Sequence, residues 1–195
     1  MENEKTMKHL IAALLTTIAF ASSASAQNFT YEIYGGYAFK DTSGLQHGTP
    51  GNDFPMAEGH ALGVGAYTDL AGFEVGADFM ITDRRYAGYQ TGVESTSLML
   101  NGRYPFQIAN GVTGYAGLGL GVIKVEYDNS DSEKYGYYNT PGGQISLGVR
   151  LPLGANEVFT EIKYQTVFKD KKINAIDEEM TQEYNSFSLV FGFRF

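Results

Sequence analysis

The sequence predicts an all-β fold, in which one eight-stranded, antiparallel, up-and-down β-barrel follows a short leader. Three observations predict it. An apolar run at residues 10–21 ends shortly before Ala24-Ser25-Ala26. After this leader the chain alternates apolar and polar residues with a period of two, which is the pattern of β-strands. The links between the alternating segments are short and long in turn.

The leader has the parts of a secretory signal peptide. Lys8 lies before the apolar run of residues 10–21, and Ala24-Ser25-Ala26 provides an A-x-A cleavage site. The run is shorter than the roughly 20 apolar residues that a membrane-spanning helix needs, so a permanent anchor is disfavoured. We expect residues 1–26 to form a signal-peptide helix that is cleaved after Ala26, and residues 27–195 to form the exported domain.

Eight segments of the exported domain alternate, and the last is the clearest. Phe187, Leu189, Phe191 and Phe193 share one face there, while serine, valine and glycine residues occupy the other. Successive side chains of a strand point to opposite faces, so each segment is predicted to be a strand with one bulky and one polar face. The predicted strands are 29–40, 60–68, 73–83, 95–104, 112–127, 142–151, 158–169 and 183–195. In the fifth strand Ile123 and Val125 disturb the alternation, which suggests a β-bulge.

The links between these strands alternate in length. Short links span 69–72, 105–111 and 152–157, and they contain glycine, proline or asparagine at turn positions. Long links span 41–59, 84–94, 128–141 and 170–182. Bacterial barrels have short periplasmic turns and long extracellular loops, and an even strand number places both chain ends on the periplasmic side.

The direction in which the bulky row points separates a membrane barrel from a soluble, lipocalin-like one. An eight-stranded barrel encloses only enough space for packed side chains. If the bulky row faced the interior, the last strand alone would place four phenylalanines and one leucine there. The bulky row is therefore assigned to lipid. Aromatic residues near the strand ends are predicted to form the interfacial girdles; they are Tyr31, Phe39, Tyr67, Phe73, Tyr104, Phe106, Tyr127, Tyr164 and Phe168.

The polar row then lines the lumen, and its charges are balanced. Balanced charges suit a closed interior in which ions must find partners. They could form either a gated ion path or a packed plug of salt bridges, and the narrow barrel favours the plug. The predicted lumen charge network comprises Glu32, Glu74, Asp78 and Glu161 with Arg103, Arg150, Lys163 and Arg194.

Three stretches of sequence resemble the family of small outer-membrane barrels that includes OmpA-, OmpX- and OmpW-type domains. They are Tyr34-Gly35-Gly36-Tyr37-Ala38-Phe39, Tyr115-Ala116-Gly117-Leu118-Gly119-Leu120-Gly121 and the C-terminal Phe191-Gly192-Phe193-Arg194-Phe195. The resemblance implies a location in the cell outer membrane. It also implies that Phe191, Phe193 and Phe195 form the signal read by the barrel-assembly machinery. The sequence shows no C-terminal peptidoglycan-binding domain and none of the tryptophans that many relatives have. The resemblance therefore implies a fold and a location but no particular activity.

The composition excludes several kinds of chemistry. The absence of cysteine rules out disulfides, zinc–thiolate sites and thiol nucleophiles, and a net charge of −8 disfavours nucleic-acid binding. No motif for a cofactor or metal is found. A hydrolase triad would need His60 with Ser95 or Ser97 and an acid, Glu58 or Asp83; since no catalytic motif surrounds these residues, we expect no enzyme.

The long links contain the remaining candidates for contacts. Tyr135, Tyr137 and Tyr138 are predicted loop residues. The sequence supports equally a tip that contacts proteins and sugars and side chains that fold back onto the barrel rim. For Arg84 and Arg85 the sequence leaves open two alternatives, contact with lipid phosphates or exposure to solvent. Two of the long links also contain clusters of acidic residues. Their spacing matches no calcium motif, so solvated loop charges are favoured over a site for a divalent cation. These residues are Asp128, Asp131, Glu133, Asp177, Glu178, Glu179 and Glu183.

The functional expectation is a non-enzymatic barrel with a structural or surface role, such as envelope integrity or adhesion. Its expected partners are outer-membrane lipid and lipopolysaccharide, the barrel-assembly machinery, and an extracellular ligand or host surface. The alternative is a narrow, porin-like channel for small or apolar solutes, as OmpW-like relatives suggest. A lipid A or phospholipid hydrolase is the less favoured alternative. No cofactor is expected.

Overall fold

A computed structural model describes most of the exported domain. It describes residues 29–39, 44–47, 54–55, 57–85, 92–128, 134–169, 171–175, 178–182 and 184–195. The leader at residues 1–26, including the predicted cleavage site, lies outside the described residues. No helix in the described part of the chain is long and apolar enough to cross a membrane.

Eight long strands form one closed barrel in which every neighbouring pair is antiparallel. This confirms the predicted fold class. The barrel strands, numbered with the short strands below in chain order, are β1 (Phe29–Ala38), β4 (Gly59–Leu70), β5 (Phe73–Arg85), β6 (Gly92–Ala109), β7 (Val112–Asp128), β8 (Lys134–Leu153), β9 (Asn156–Val167) and β12 (Asn185–Arg194).

The first and last strands close the barrel. β1 pairs with β12 from Glu32 opposite Arg194 to Ala38 opposite Ser188. Beyond this ladder the Tyr31 amide donates to the Phe195 carbonyl at 2.8 Å, and the Phe195 amide donates back at 3.0 Å. Closure leaves no open sheet edge along the wall, which matters in hydrocarbon because unpaired backbone groups are costly there.

One end of the barrel has three tight turns, and we call it the short-turn end. The links are Ala71-Gly72, Asn110-Gly111 and Gly154-Ala155. In the first turn both residues have positive φ, 52° at Ala71 and 88° at Gly72. Positive φ at both central positions defines a type I′ turn, whose twist matches that of the flanking strands.

The outer face of the wall is an apolar band. In β5 the outward residues run from Phe73 to Ile81, and at the C-terminus they run from Phe187 in β12 to Phe195, which directly follows it. Nine residues of a strand tilted by about 40° rise roughly 20 Å, close to the 25 Å band of outer-membrane barrels. The assignment of the bulky row to lipid thus agrees with the exposed faces of the strands.

A second, smaller sheet lies at the opposite end, which we call the sheet end. Its four strands have the order β10-β11-β2-β3. The strands β2 (Gly44–His47) and β3 (Phe54–Pro55) belong to the link between β1 and β4, whereas β10 (Lys171–Ala175) and β11 (Glu178–Gln182) belong to the link between β9 and β12. We name these four strands the surface sheet. Both links were predicted to be loops, because no local pattern marks such short strands, and β2 pairs with β11, which lies far away in the chain.

Strands β6, β7 and β8 extend beyond their predicted ends. β8 begins at Lys134 and not at residue 142, so Tyr135, Tyr137 and Tyr138 belong to a strand and not to a loop. Strand pairing continues there past the apolar band, where apolar–polar alternation no longer marks a strand. In β7 the alternation is unbroken through Ile123 and Val125. Its register with β8 shifts beyond them, between Glu126 and Asp128.

Candidate functional site

The candidate site is the lumen, because strand alternation directs the polar row inward. All eight residues of the predicted lumen charge network point into the barrel and are buried. They come from β1, β5, β6, β8, β9 and β12, so the closed wall brings together residues that are far apart in the sequence. Burial of ions is costly unless each has a partner, so each of these charges is expected to contact an opposite charge.

Arg103 joins two carboxylates near the short-turn half of the lumen. Its Nη1 lies 2.8 and 2.9 Å from the two carboxylate oxygens of Glu32, and its Nη2 lies 3.1 and 3.3 Å from those of Glu161. The side chains of all three residues are at most 1% exposed. The guanidinium fork suits this arrangement, since each of its two terminal nitrogens binds one carboxylate.

Glu74 holds a second cluster together at the short-turn end. Arg150 donates to it at 2.7 and 3.0 Å, and Arg194 donates at 2.8 and 3.0 Å. Arg194 also reaches Glu32 at 3.3 Å, which links this cluster to the one around Arg103. A fifth carboxylate, Glu157, lies 3.2 Å from Arg194 Nε at the edge of the lumen.

Asp78 and Lys163 form the third pair, deeper in the barrel. The Lys163 ammonium binds the Asp78 carboxylate and lies 3.6 Å from Glu161, so the third pair joins the same network. The hydroxyl of Tyr34 donates to Asp78 as well. All the charges of the predicted network are thereby connected through direct contacts.

Aromatic rings pack against the cations. The guanidinium carbon of Arg103 lies 3.9 Å from the ring centre of Tyr67 and 4.8 Å from that of Tyr115. The guanidinium carbon of Arg150 lies 4.6 Å from the ring centre of Tyr115, so Tyr115 contacts both arginines. Such cation–π contacts are strengthened where water is excluded. Tyr67 was predicted to be a girdle residue, and this prediction was wrong: the ring lies inside the barrel and is fully buried.

Glycines of the inner face make room for these rings. A Cβ atom at Gly63 would lie 2.3 Å from the ring of Tyr34, and a Cβ atom at Gly148 would lie 2.3 Å from the ring of Tyr115. The tyrosine rings therefore pack directly against the backbone of the barrel wall. The glycine-rich polar row is thus explained by packing inside a narrow barrel.

A ladder of amides continues the network toward the sheet end. Asn101 donates to the Tyr67 hydroxyl at 3.4 Å, and Gln144 donates to the Asn101 carbonyl at 3.1 Å. Gln165 then donates to Gln144 at 2.8 Å and to the Ser97 hydroxyl at 2.9 Å. These residues were not predicted as site residues, although the alternation of the sequence already places their side chains on the inner face.

The lumen becomes apolar above the amides. A buried cluster there contains Val93, Met99, Ile123, Val125, Val167 and Tyr184. Ile123 and Val125 disturbed the alternation in the sequence because they are apolar and nevertheless point inward. The Tyr184 hydroxyl lies 2.5 Å from Ser95 Oγ, so a residue from the link before β12 closes over this half.

The pair Arg84 and Arg85 is split between the two faces of β5. Arg85 is exposed on the outer face, where a contact with lipid phosphates stays a prediction. Arg84 points inward and is buried, and its guanidinium donates to three main-chain carbonyls. The suggested contact between Arg84 and lipid is therefore wrong.

The residues of the imagined hydrolase triad do not meet. His60 is exposed on the outer face beside Asp83, its register partner, whereas Ser95 and Ser97 are buried in the lumen. The wall of the barrel separates the histidine from both serines, so no proton transfer between them is possible.

The other predicted contact residues cannot be placed by their side chains. The side chains of Tyr135, Tyr137 and Tyr138 and of the acidic link residues lie outside the described residues, as does the Tyr127 side chain. Within the described residues no group of three or more histidine or acidic side chains is arranged to hold a metal ion.

Comparisons with known proteins agree with this architecture. The family model of the outer membrane protein beta-barrel domain matches residues 10–195. The solved structure of Neisserial surface protein A is similar, with 15% identity, a TM-score of 0.63, and coverage of 86% of this chain and 96% of that chain. The outer membrane protein OprG from Pseudomonas aeruginosa is also similar, with 15% identity, a TM-score of 0.57, and coverage of 87% and 97%. No curated protein matches by sequence. At this level of identity the likeness to solved structures shows the fold alone.

Proposed function

Because this chain belongs to the outer membrane protein β-barrel domain family, we propose that it is a non-enzymatic barrel with a sealed lumen and a surface-exposed recognition sheet. Family and fold place it in the cell outer membrane. The observation that carries the proposal is the burial of the lumen charges: the side chains of Arg103, Glu32 and Glu161 are at most 1% exposed. A water-filled path along the axis would leave such side chains wet.

The surface sheet is the proposed working part. In outer-membrane barrels the short turns face the periplasm and the long links face outward. By this rule β2, β3, β10 and β11 project from the cell, where they meet lipopolysaccharide and any extracellular ligand or host surface. A structural role in the envelope or a role in adhesion follows from this position.

Bilayer recordings test the sealed lumen. Protein purified from outer membranes is first shown to be folded by its altered migration on unboiled gels. It should then add no stable conductance steps to a planar lipid bilayer. Recurrent steps of one size, absent from recordings with a boiled sample, would overturn the sealed lumen.

Shortening the links tests the surface role. In one variant residues 44–55 and 171–182 are replaced by short glycine–serine links; in a matched control only residues 129–133 are replaced. Cells that display each protein are compared for adherence to a panel of immobilised proteins and glycans, and for sensitivity to detergent. Adherence lost only in the first variant supports recognition, and detergent sensitivity in that variant supports an envelope role. Equal behaviour of both variants and the natural protein in both assays would contradict the proposal.

Export and assembly are part of the same proposal. We infer that residues 1–26 are removed, so the intact mass of the outer-membrane protein should correspond to a chain that begins at Gln27. The resemblance noted above supports Phe191, Phe193 and Phe195 as the assembly signal. All three side chains are exposed on the outer face, Phe191 and Phe193 in β12 and Phe195 directly after it, where another protein can reach them during insertion.

A second candidate function is a carrier for small apolar molecules. The observation that favours it is the apolar half of the lumen, formed by the cluster around Ile123 and Val125. Transport through the lumen would need the network around Arg103 and Glu161 to open. Uptake of a small hydrocarbon by expressing cells should then rise in Arg103→Met and Glu161→Gln variants. Uptake equal to that of cells without the protein, in the natural chain and in both variants, would remove this candidate.

A further inference from the structure

Arg84 occupies an unusual position at the sheet end of β5. Its side chain is inside the barrel and 2% exposed. Nε donates to the carbonyl of Ala57 at 3.1 Å, Nη1 to that of Asn185 at 3.1 Å, and Nη2 to that of Phe39 at 2.7 Å. Each nitrogen of the guanidinium therefore binds a different segment of the main chain.

The three carbonyls mark the points at which the chain passes between the barrel and the surface sheet. Phe39 follows β1 and leads toward β2, Ala57 lies between β3 and β4, and Asn185 begins β12 after β11. The chain makes four such passages, and Arg84 binds three of them. Both halves of the surface sheet, β2–β3 and β10–β11, are thus tied to one side chain.

The surroundings suit this role. The ladder between β1 and β12 ends near Phe39, whose amide donates to the Phe187 carbonyl, so the carbonyls above it need donors from elsewhere. The rigid, charged fork of arginine supplies donors in several directions at once. Gly59 lies beside it, where a Cβ atom would be 1.9 Å from the Asp83 carbonyl oxygen and 2.8 Å from Arg84 Cγ. The backbones of β4 and β5 therefore pack closely beside the stem of Arg84.

We propose that Arg84 is the positioning residue of the surface sheet: it fixes the sheet on the barrel by binding the backbone of three of its four connections. The role is separate from the ion-pair network, which lies toward the other end of the lumen. The inference rests on the proposed function, since the sheet that Arg84 fixes is the proposed recognition surface.

Proteolysis of the folded protein tests the proposal. Protein from outer membranes, held in detergent micelles, is digested with a protease that cuts after glutamate. The substitution Arg84→Met removes all three bonds but keeps most of the bulk, and Arg85→Met is the matched control on the outer face of the same strand. We expect cleavage after Glu178 and Glu179, in β11, to be at least tenfold faster in Arg84→Met, because local opening exposes the chain. Cleavage after Glu133, in the link between β7 and β8, should be unchanged in both variants.

Two outcomes would overturn the proposal. One is equal cleavage of Arg84→Met and Arg85→Met after Glu178. The other is acceleration at all sites alike, which indicates a loosened barrel. The variant Arg84→Lys, which keeps the charge with a single nitrogen, should be cleaved at an intermediate rate, and it serves if Arg84→Met does not fold. Cleavage of Arg84→Lys at the rate of the unsubstituted protein would then contradict the claim that the guanidinium holds the sheet through several donors. Cleavage is measured without any ligand, so this test of Arg84 does not depend on the outcome of the adherence assay.

Discussion

Replacing Arg103 by methionine is expected to lower the free energy of unfolding by about 3 kcal/mol. Loss of one partner from a buried ion pair typically costs 3–5 kcal/mol, because the other charge stays buried alone. The lower end of this range applies because each carboxylate that Arg103 binds keeps a second cation nearby. Arg194 lies 3.3 Å from Glu32, and Lys163 lies 3.6 Å from Glu161. The contacts of the guanidinium with the Tyr67 and Tyr115 rings are lost as well.

The measurement is reversible unfolding in urea, in detergent micelles or lipid vesicles, followed by the gel shift of the folded form. A double-mutant cycle with Glu161→Gln should give a coupling energy above about 1 kcal/mol, because the two side chains are in direct contact. Lys124→Met is the control, since its partner Glu126 is on the outer face and partly exposed, and such pairs contribute about 0–1 kcal/mol. A loss below 1 kcal/mol in Arg103→Met, or strictly additive effects in the cycle, would refute the account of the lumen as a coupled plug.

Three further outcomes follow from the structure and the resemblance. Gly63→Ala should destabilise the barrel by about 1–3 kcal/mol through its clash with Tyr34, whereas Gly102→Ala, which meets nothing within 4 Å, should change the unfolding midpoint little; equal midpoints would contradict the packing. Phe195→Ser should lower the amount of heat-modifiable protein in outer membranes several-fold without changing its synthesis, as blotting of membrane and whole-cell samples would show. Ala71→Gly should raise the free energy of unfolding by up to about 1 kcal/mol in urea titrations, because Ala71 has a φ of 52°.

The barrel could be predicted from the sequence because each of its strands obeys one local rule. In β12 the alternation of Phe187, Leu189 and Phe191 with small and polar residues identifies both the strand and its lipid-facing side. The surface sheet follows no such rule. Its strands β2 and β11 pair with each other although they lie near opposite ends of the chain, and neither has one apolar and one polar face that sequence could reveal.

The same distinction applies to the lumen. Parity assigns Glu32 and Arg103 to the inner face, but their contact depends on barrel closure and on the stagger between strands, which no local pattern records. Glu157 was missed because it lies at the edge of the lumen, at the end of the link predicted to span 152–157. Tyr67 was assigned to the wrong side because an aromatic residue at a strand end suits a girdle as well as it suits a buried cation–π contact.

In the proposed sealed lumen the two halves would oppose leakage by different physical means. In the short-turn half an entering ion would have to separate pairs such as Arg103 and Glu161, and each separated charge would stay buried away from solvent. In the sheet-end half the ion would meet Ile123, Val125 and Val167, which offer it no hydrogen bond to replace its hydration. A defect in one half therefore leaves the other barrier in place. It follows that Arg103→Met alone should weaken the barrel more than it opens it, and that conductance should appear only when a polar residue also replaces Ile123 or Val125.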